Sequence, residues 1–260
     1  EVTEAFIDYD GMVSLSYKLP TYRERTLTTA FGAAGRDYLD QNTADSLTGF
    51  VSFGYSEKRK LPFKFNYSAY ATDVSGHPYN AGQQGVFGLS VDLPKNANLQ
   101  TSLRVGETRH FKYLGSSAGK QRDNETLGVS ATYLRPIAGL SIPLLVSTSL
   151  LGDKSSAEIK HFSAQSVSAV VGLRTRLARV NVSLSLDFLV TEYEGANTLI
   201  STQIRQDERT RLTASLGYKL PPHLGAIDLA LSGFTADTRS NIPNSTRTLS
   251  ELKLSLRRNF

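Results

Sequence analysis

Four histidines, His77, His110, His161 and His223, are the side chains best suited to move protons near neutral pH. His110 and His161 have Ser163 and Asp153 as sequence neighbours, the residue types of a hydrolase. Loops rich in serine and aspartate supply such neighbours by chance, and this spacing fixes no nucleophile–base geometry, so catalysis is not expected. The chain has no cysteine, which removes thiolate nucleophiles, disulfides and cysteine-ligated metals. No phosphate-cradling glycine loop, metal-ligand spacing or catalytic elbow occurs, so neither cofactor nor metal is expected.

A second set of residues carries charge instead of reactivity. Lys18, Lys64, Arg104, Arg174, Arg176, Arg211, Lys219, Lys253 and Arg257 each stand on the polar parity of their segment, as do Asp92, Asp187, Asp228 and Glu251. If these side chains face a confined aqueous path, its net basic lining selects anions or acidic chains. The alternative is cross-strand pairing that holds the sheet and fills its interior. The net charge of +5 is dispersed along the chain, and nucleic acid needs a clustered footprint, so no nucleic-acid partner is expected. Segment 107–124, with Glu107, Arg109, His110, Lys112, Lys120, Arg122 and Asp123, is mixed in sign. It reads as a constriction loop or as a solvated surface loop.

The elements that position these residues follow from a period of two. Leu252, Leu254, Leu256 and Phe260 oppose Glu251, Lys253, Ser255, Arg257 and Asn259. Val180, Val182, Leu184, Leu186, Phe188 and Val190 oppose Asn181, Ser183, Ser185, Asp187 and Thr191, and Leu61, Phe63, Phe65 and Tyr67 oppose Lys64, Asn66 and Ser68. Such alternation specifies strands with one oily and one wet face, and no segment carries a helical period.

The spacing predicts strands over 3–8, 12–19, 22–37, 45–56, 61–73, 84–93, 97–111, 124–135, 139–151, 164–177, 179–194, 207–220, 224–236 and 246–260. Tight turns are expected at Pro20-Thr21, Glu57 to Lys60, Pro94 to Asn96, Pro136 to Ala138, Ala178 and Pro221 to His223. Longer polar connections are expected over 38–44, 74–83, 112–123, 152–163, 195–206 and 237–245. Short and long connections thus collect at opposite ends. A hairpin at Asp8 to Gly11 breaks the size rule; without it, twelve strands or an N-terminal plug is the alternative.

Residues 1–260 therefore read as a single all-β domain: a transmembrane antiparallel up-and-down β-barrel of about 14 strands. A soluble sandwich would alternate too. Against it stand segments well beyond the usual globular strand of about 5 to 6 residues, and a polar face dense in Ser, Thr, Gly and Asn. Tyr17, Tyr55, Phe63, Tyr133, Tyr218 and Phe260 share the oily parity near proposed short turns, as an aromatic girdle at a headgroup boundary requires. Glu1 follows no visible secretory signal, and a leader removed from the mature chain is the expectation.

The ending Leu252-Lys253-Leu254-Ser255-Leu256-Arg257-Arg258-Asn259-Phe260 resembles the C-terminal signal of Gram-negative outer-membrane proteins. That resemblance covers one strand and implies recognition by the barrel-insertion machinery, with outer-membrane lipid as surroundings. It departs from the pattern at Arg258, where an apolar residue is usual; snorkelling accommodates the charge. More loosely, the turn-bounded strands and Asp237-Thr238-Arg239-Ser240-Asn241 look like porin-like barrels and barrel domains of polysaccharide or lipoprotein export machines. The resemblance implies a pore for polar or anionic solutes or polymers, or an export barrel with periplasmic partners.

Overall fold

The computed structural model describes residues 6–19, 25–38, 45–57, 62–111, 122–137, 139, 142–220, 227–242 and 245–258. They form thirteen strands: β1 (Phe6–Lys18), β2 (Arg25–Tyr38), β3 (Ser46–Glu57), β4 (Phe63–Val74), β5 (His77–Leu93), β6 (Ala97–His110), β7 (Asn124–Ile137), β8 (Leu144–Ala157), β9 (Ala164–Leu177), β10 (Val180–Tyr193), β11 (Gln206–Lys219), β12 (Ile227–Ser240) and β13 (Arg247–Arg258). Their order in the sheet is their order in the chain, an antiparallel up-and-down arrangement. No α-helix occurs among the described residues.

Three connections differ from the sequence reading. The hairpin expected at Asp8 to Gly11 is absent: Asp8, Tyr9, Asp10 and Gly11 pair without interruption with Arg36, Gly35, Ala34 and Ala33, so one strand replaces the expected 3–8 and 12–19. Residues 3–5 lie outside the described residues. The long connection expected over 74–83 is instead a two-residue turn, Ser75-Gly76, with φ of 53° and 80°. Positive φ at both central residues is the geometry whose twist matches a hairpin, so β4 and β5 continue past their oily positions as paired polar strand. Similarly, β8 extends to Ala157 and shortens the connection expected over 152–163. The tight turns at 94–96 and 178–179 are present, whereas 20–21, 58–60 and 221–223 fall outside the described residues.

The chain divides into two compact units: 1–90 with 102–129 and 154–163, and 91–101 with 130–153 and 164–260. Within the first, three aromatic rings lie over glycines directly opposite them: Tyr9 over Gly35, Phe50 over Gly32 and Tyr70 over Gly82. A Cβ on Gly82 would stand 2.7 Å from the Tyr70 ring, so glycine is required for the ring to lie flat on the strand. The Tyr70 hydroxyl then reaches Thr108 Oγ1 at 3.0 Å. Within the second unit, β9 to β13 pair without a register break from Val180–Leu177 through to Asp237–Thr248.

Burial is inverted relative to a water-soluble sheet. On β3, Leu47, Val51 and Phe53 are exposed while Thr48 and Ser52, between them, are partly covered. On β11, Leu212 and Leu216 are exposed while Arg211, Thr213 and Ser215 are partly covered. Among the described residues the buried apolar side chains are only Ala97, Ala236 and Ile242, whereas forty large apolar or aromatic ones are exposed. Among the described residues neither unit has an oily core.

Gly82→Val should cost about 1 to 3 kcal/mol of stability by forcing Tyr70 off its seat. The cost should shrink in a Tyr70→Ala background. Urea unfolding followed by circular dichroism measures both; equal costs in the two backgrounds would show that ring and glycine are not coupled.

Candidate functional site

Part of the chain's charge clusters on the polar parity. In the second unit, Asp187 stands directly opposite Arg211 across β10–β11, and its Oδ2 accepts from Arg209 Nη2 at 3.2 Å. Arg209 and Arg211 are two residues apart and so share a face, but only Arg209 bonds the Asp187 carboxylate. The Arg211 guanidinium lies 3.8 Å from the centre of the Phe234 ring, close enough for cation–π attraction. Among the described residues, no hydrogen bond satisfies Asp187 Oδ1, Arg209 Nε or Arg211 Nε. Below this cluster the Ser183 and Ser215 hydroxyls meet at 2.7 Å. Above it Arg205 packs 5.0 Å over the Tyr193 ring and bonds Asp207 at 2.6 Å.

The hydrogen bond from Arg205 to Asp207 raises the guanidinium's pKa above its ordinary value. A raised pKa stabilises the fold while the group is protonated, with loss only as pH rises through a window already above ordinary solution conditions. Arg205 therefore stays cationic throughout.

The other charged positions from the sequence divide between the units. In the second, Arg174 and Arg176 are exposed on β9 opposite Ser183 and Asn181. Asp228 stands between Lys219 and Arg257 across two ladders, a carboxylate position flanked by basic ones. Lys253 stands opposite Ser232, and Glu251 opposite Phe234. Asp92 accepts from Asn98 Nδ2 at 2.8 Å beside the β5–β6 turn. In the first unit, Lys18 ends β1 opposite Thr26, Lys64 stands opposite Ser56 and Gly88, and Arg104 is partly covered on β6.

The expected aromatic girdle also divides. Tyr55 and Phe63 lie 5.6 Å apart and Phe63 and Phe87 6.0 Å apart, a row across β3, β4 and β5 at the end opposite the Ser75-Gly76 turn. Tyr17 is exposed in the same unit; Tyr133 and Tyr218 are exposed in the second, and Phe260 lies outside the described residues. Sequence reasoning missed Glu57, which is buried beside this row, receives the Tyr55 hydroxyl at 3.0 Å and pairs with Arg25 at 3.1 Å. It also missed Arg209 and Phe234. Arg209 carried the same parity signal as Arg211, and Phe234 is an aromatic at a polar-parity position, which was itself a signal.

Three of the side chains considered for catalysis, Ser163, His161 and His110, have described contacts. Ser163 is fully buried, its Oγ accepting from Ala157 N at 2.8 Å and donating to Ala157 O at 3.2 Å, so the hydroxyl closes the β8–β9 connection. His161 packs on Phe162 at 4.1 Å between ring centres. His110 packs edge-on to Tyr79, and its backbone N–H donates to Asp123 Oδ1 at 2.6 Å. Of segment 107–124, residues 112–121 lie outside the described residues, as does His223.

No protein-family model matches the chain, and no curated protein matches it.

A double-mutant cycle on Asp187→Asn and Arg209→Gln should give a coupling of about 0.5 to 1 kcal/mol, the range for a partly exposed ion pair. Urea unfolding of the four proteins provides the measurement; additive effects would mean that the 3.2 Å contact contributes nothing.

Proposed function

We propose that the chain is a transmembrane β-barrel of a bacterial outer membrane and passes polar, preferentially anionic, solutes or polymers along the face that carries the charges. The observation that carries this reading is the inverted burial. Forty exposed large apolar side chains, most of them on the oily parity of the strands, would be an aggregation hazard in water, far beyond the scattered residues a soluble surface tolerates. Against hydrocarbon the same face is at rest, provided that neighbouring strands satisfy each backbone group and no edge is left open to lipid. The oily run on β10, from Val180 to Val190, has the length of the roughly 9 to 11 residues that a tilted strand needs to cross a bilayer. Tyr17, Tyr55, Phe63, Tyr133 and Tyr218 mark one boundary as an aromatic belt does. Glu107, Glu125, Lys154, Glu192 and Glu208 on the same parity mark the other.

Anion preference rests on two guanidiniums on one face of β11, of which Arg209 is paired with Asp187 and Arg211 lies on the Phe234 ring. Basic side chains lining a narrow aqueous path raise the local concentration of anions. In planar bilayers under a salt gradient, the reversal potential should report anion selectivity, reduced in an Arg209→Gln/Arg211→Gln variant. Cation selectivity of the unaltered protein would overturn the anion reading. A silent protein that is nonetheless inserted would favour the barrel domain of an export or assembly machine. A chain that stays folded and monomeric in buffer without detergent would overturn the membrane reading itself.

A further inference from the structure

Within the first unit, the exposed parity carries a groove of about 720 Å³ across β4 to β8. Its lining changes character along the strands. On β5, β6 and β7 the residues Gly85, Val105 and Leu127 give way, two positions nearer the Ser75-Gly76 end, to Gln83, Glu107 and Glu125. On β8, Lys154 and Ser156 continue that polar edge. One end of the groove is therefore apolar and the other is polar and mixed in sign.

The polar edge is organised. The Tyr67 hydroxyl donates to Gln83 Oε1, and Gln83 Nε2 donates to Glu107 Oε1 at 2.8 Å. Arg109 Nη2 lies 3.6 Å from the same carboxylate oxygen. Glu107 is thus held in place by both neighbours, whereas the Glu125 carboxylate meets no partner among the described residues. The apolar floor is open at Gly85: a Cβ there would find only Phe65 Cε2 at 3.9 Å and Val105 O at 4.0 Å, ordinary contact distances. Space for a side chain exists there and the sequence leaves it empty.

We infer that this groove binds one membrane lipid with a zwitterionic aminoalkyl phosphate headgroup, of the phosphatidylethanolamine class. The inference rests on the membrane-spanning reading. An acyl chain lies along Gly85, Val105 and Leu127, the ammonium donates to Glu125 and Glu107, and the phosphate accepts from Lys154. The volume falls within the range of pre-formed ligand sites, about 300 to 1,000 Å³. Charge selects the occupant. On the groove lining Glu107 and Glu125 stand against Lys154, with Arg109 beside Glu107, and complement a headgroup carrying both signs, whereas a purely anionic headgroup places uncompensated negative charge beside two carboxylates.

The test uses the whole chain folded in non-ionic detergent, exposed to phosphatidylethanolamine or phosphatidylglycerol at equal concentration and examined by native mass spectrometry. Retention of one phosphatidylethanolamine, favoured about tenfold over phosphatidylglycerol, is the expected result for charge-assisted hydrogen bonds to the ammonium. Glu125→Gln should abolish the preference, and Gly85→Leu should abolish retention of either lipid, with circular dichroism confirming that both variants remain folded. Equal retention of the two lipids, a preference for the anionic one, or unchanged retention in folded Gly85→Leu overturns the groove proposal while leaving the membrane reading intact. If Gly85→Leu does not fold, Glu125→Gln alone decides: a preserved preference overturns the proposal. A chain that folds and stays monomeric without detergent overturns both.

Discussion

Backbone pairing between strands adjacent in sequence is the interaction on which the rest of the structure depends. Registers such as β9 to β10 run from Val180–Leu177 to Tyr193–Ala164 without a break, using the main-chain donors and acceptors along the whole strand. With those groups satisfied in the ladder, side chains are free to take opposite characters on the two faces. That freedom explains how the described residues can lack an oily core and still be ordered. Buried apolar side chains among the described residues amount to two alanines and an isoleucine, far too little to drive collapse by themselves.

What the side chains add is register. Tyr70 fits over Gly82 and Phe50 over Gly32 only when those residues are directly opposite, and a slip of one position would bring each ring against a Cβ. Hydroxyl pairs act in the same way on the polar parity: Thr48 with Thr72 at 2.9 Å, Thr132 with Ser149 at 2.9 Å, Ser183 with Ser215 at 2.7 Å. Each is worth about 0.5 to 1.5 kcal/mol net. Their larger effect is to make one alignment better than its neighbours.

The parity of nearly every strand was legible in the sequence because alternation is a local property, visible in residues such as Val180 to Val190 without knowing any partner. Two stretches misled for a shared reason. Asp8-Tyr9-Asp10-Gly11 and Ser75 to Gln83 are rich in turn-forming and polar residues, yet most of them are paired strand. Polarity signals a turn only when a strand is expected to be oily on one face throughout; here the strands continue beyond their oily positions. Contacts between strands were illegible for a different reason. The diagonal pair of Arg209 with Asp187, Phe234 beneath Arg211, and Arg25 on Glu57 all depend on which residue stands beside which across a ladder, and register is not written in either strand alone.

An order of strands identical to the order of the chain has a kinetic corollary. Each ladder joins segments separated by one connection, as short as the two residues of Ser75-Gly76, so each step of assembly closes a small loop. The entropy of closure grows only with the logarithm of loop length and is least for such neighbours. Sheets are usually slow to form because their partners are distant in sequence. This topology escapes much of that delay, and hairpins can be laid down one after another, each edge templating the next.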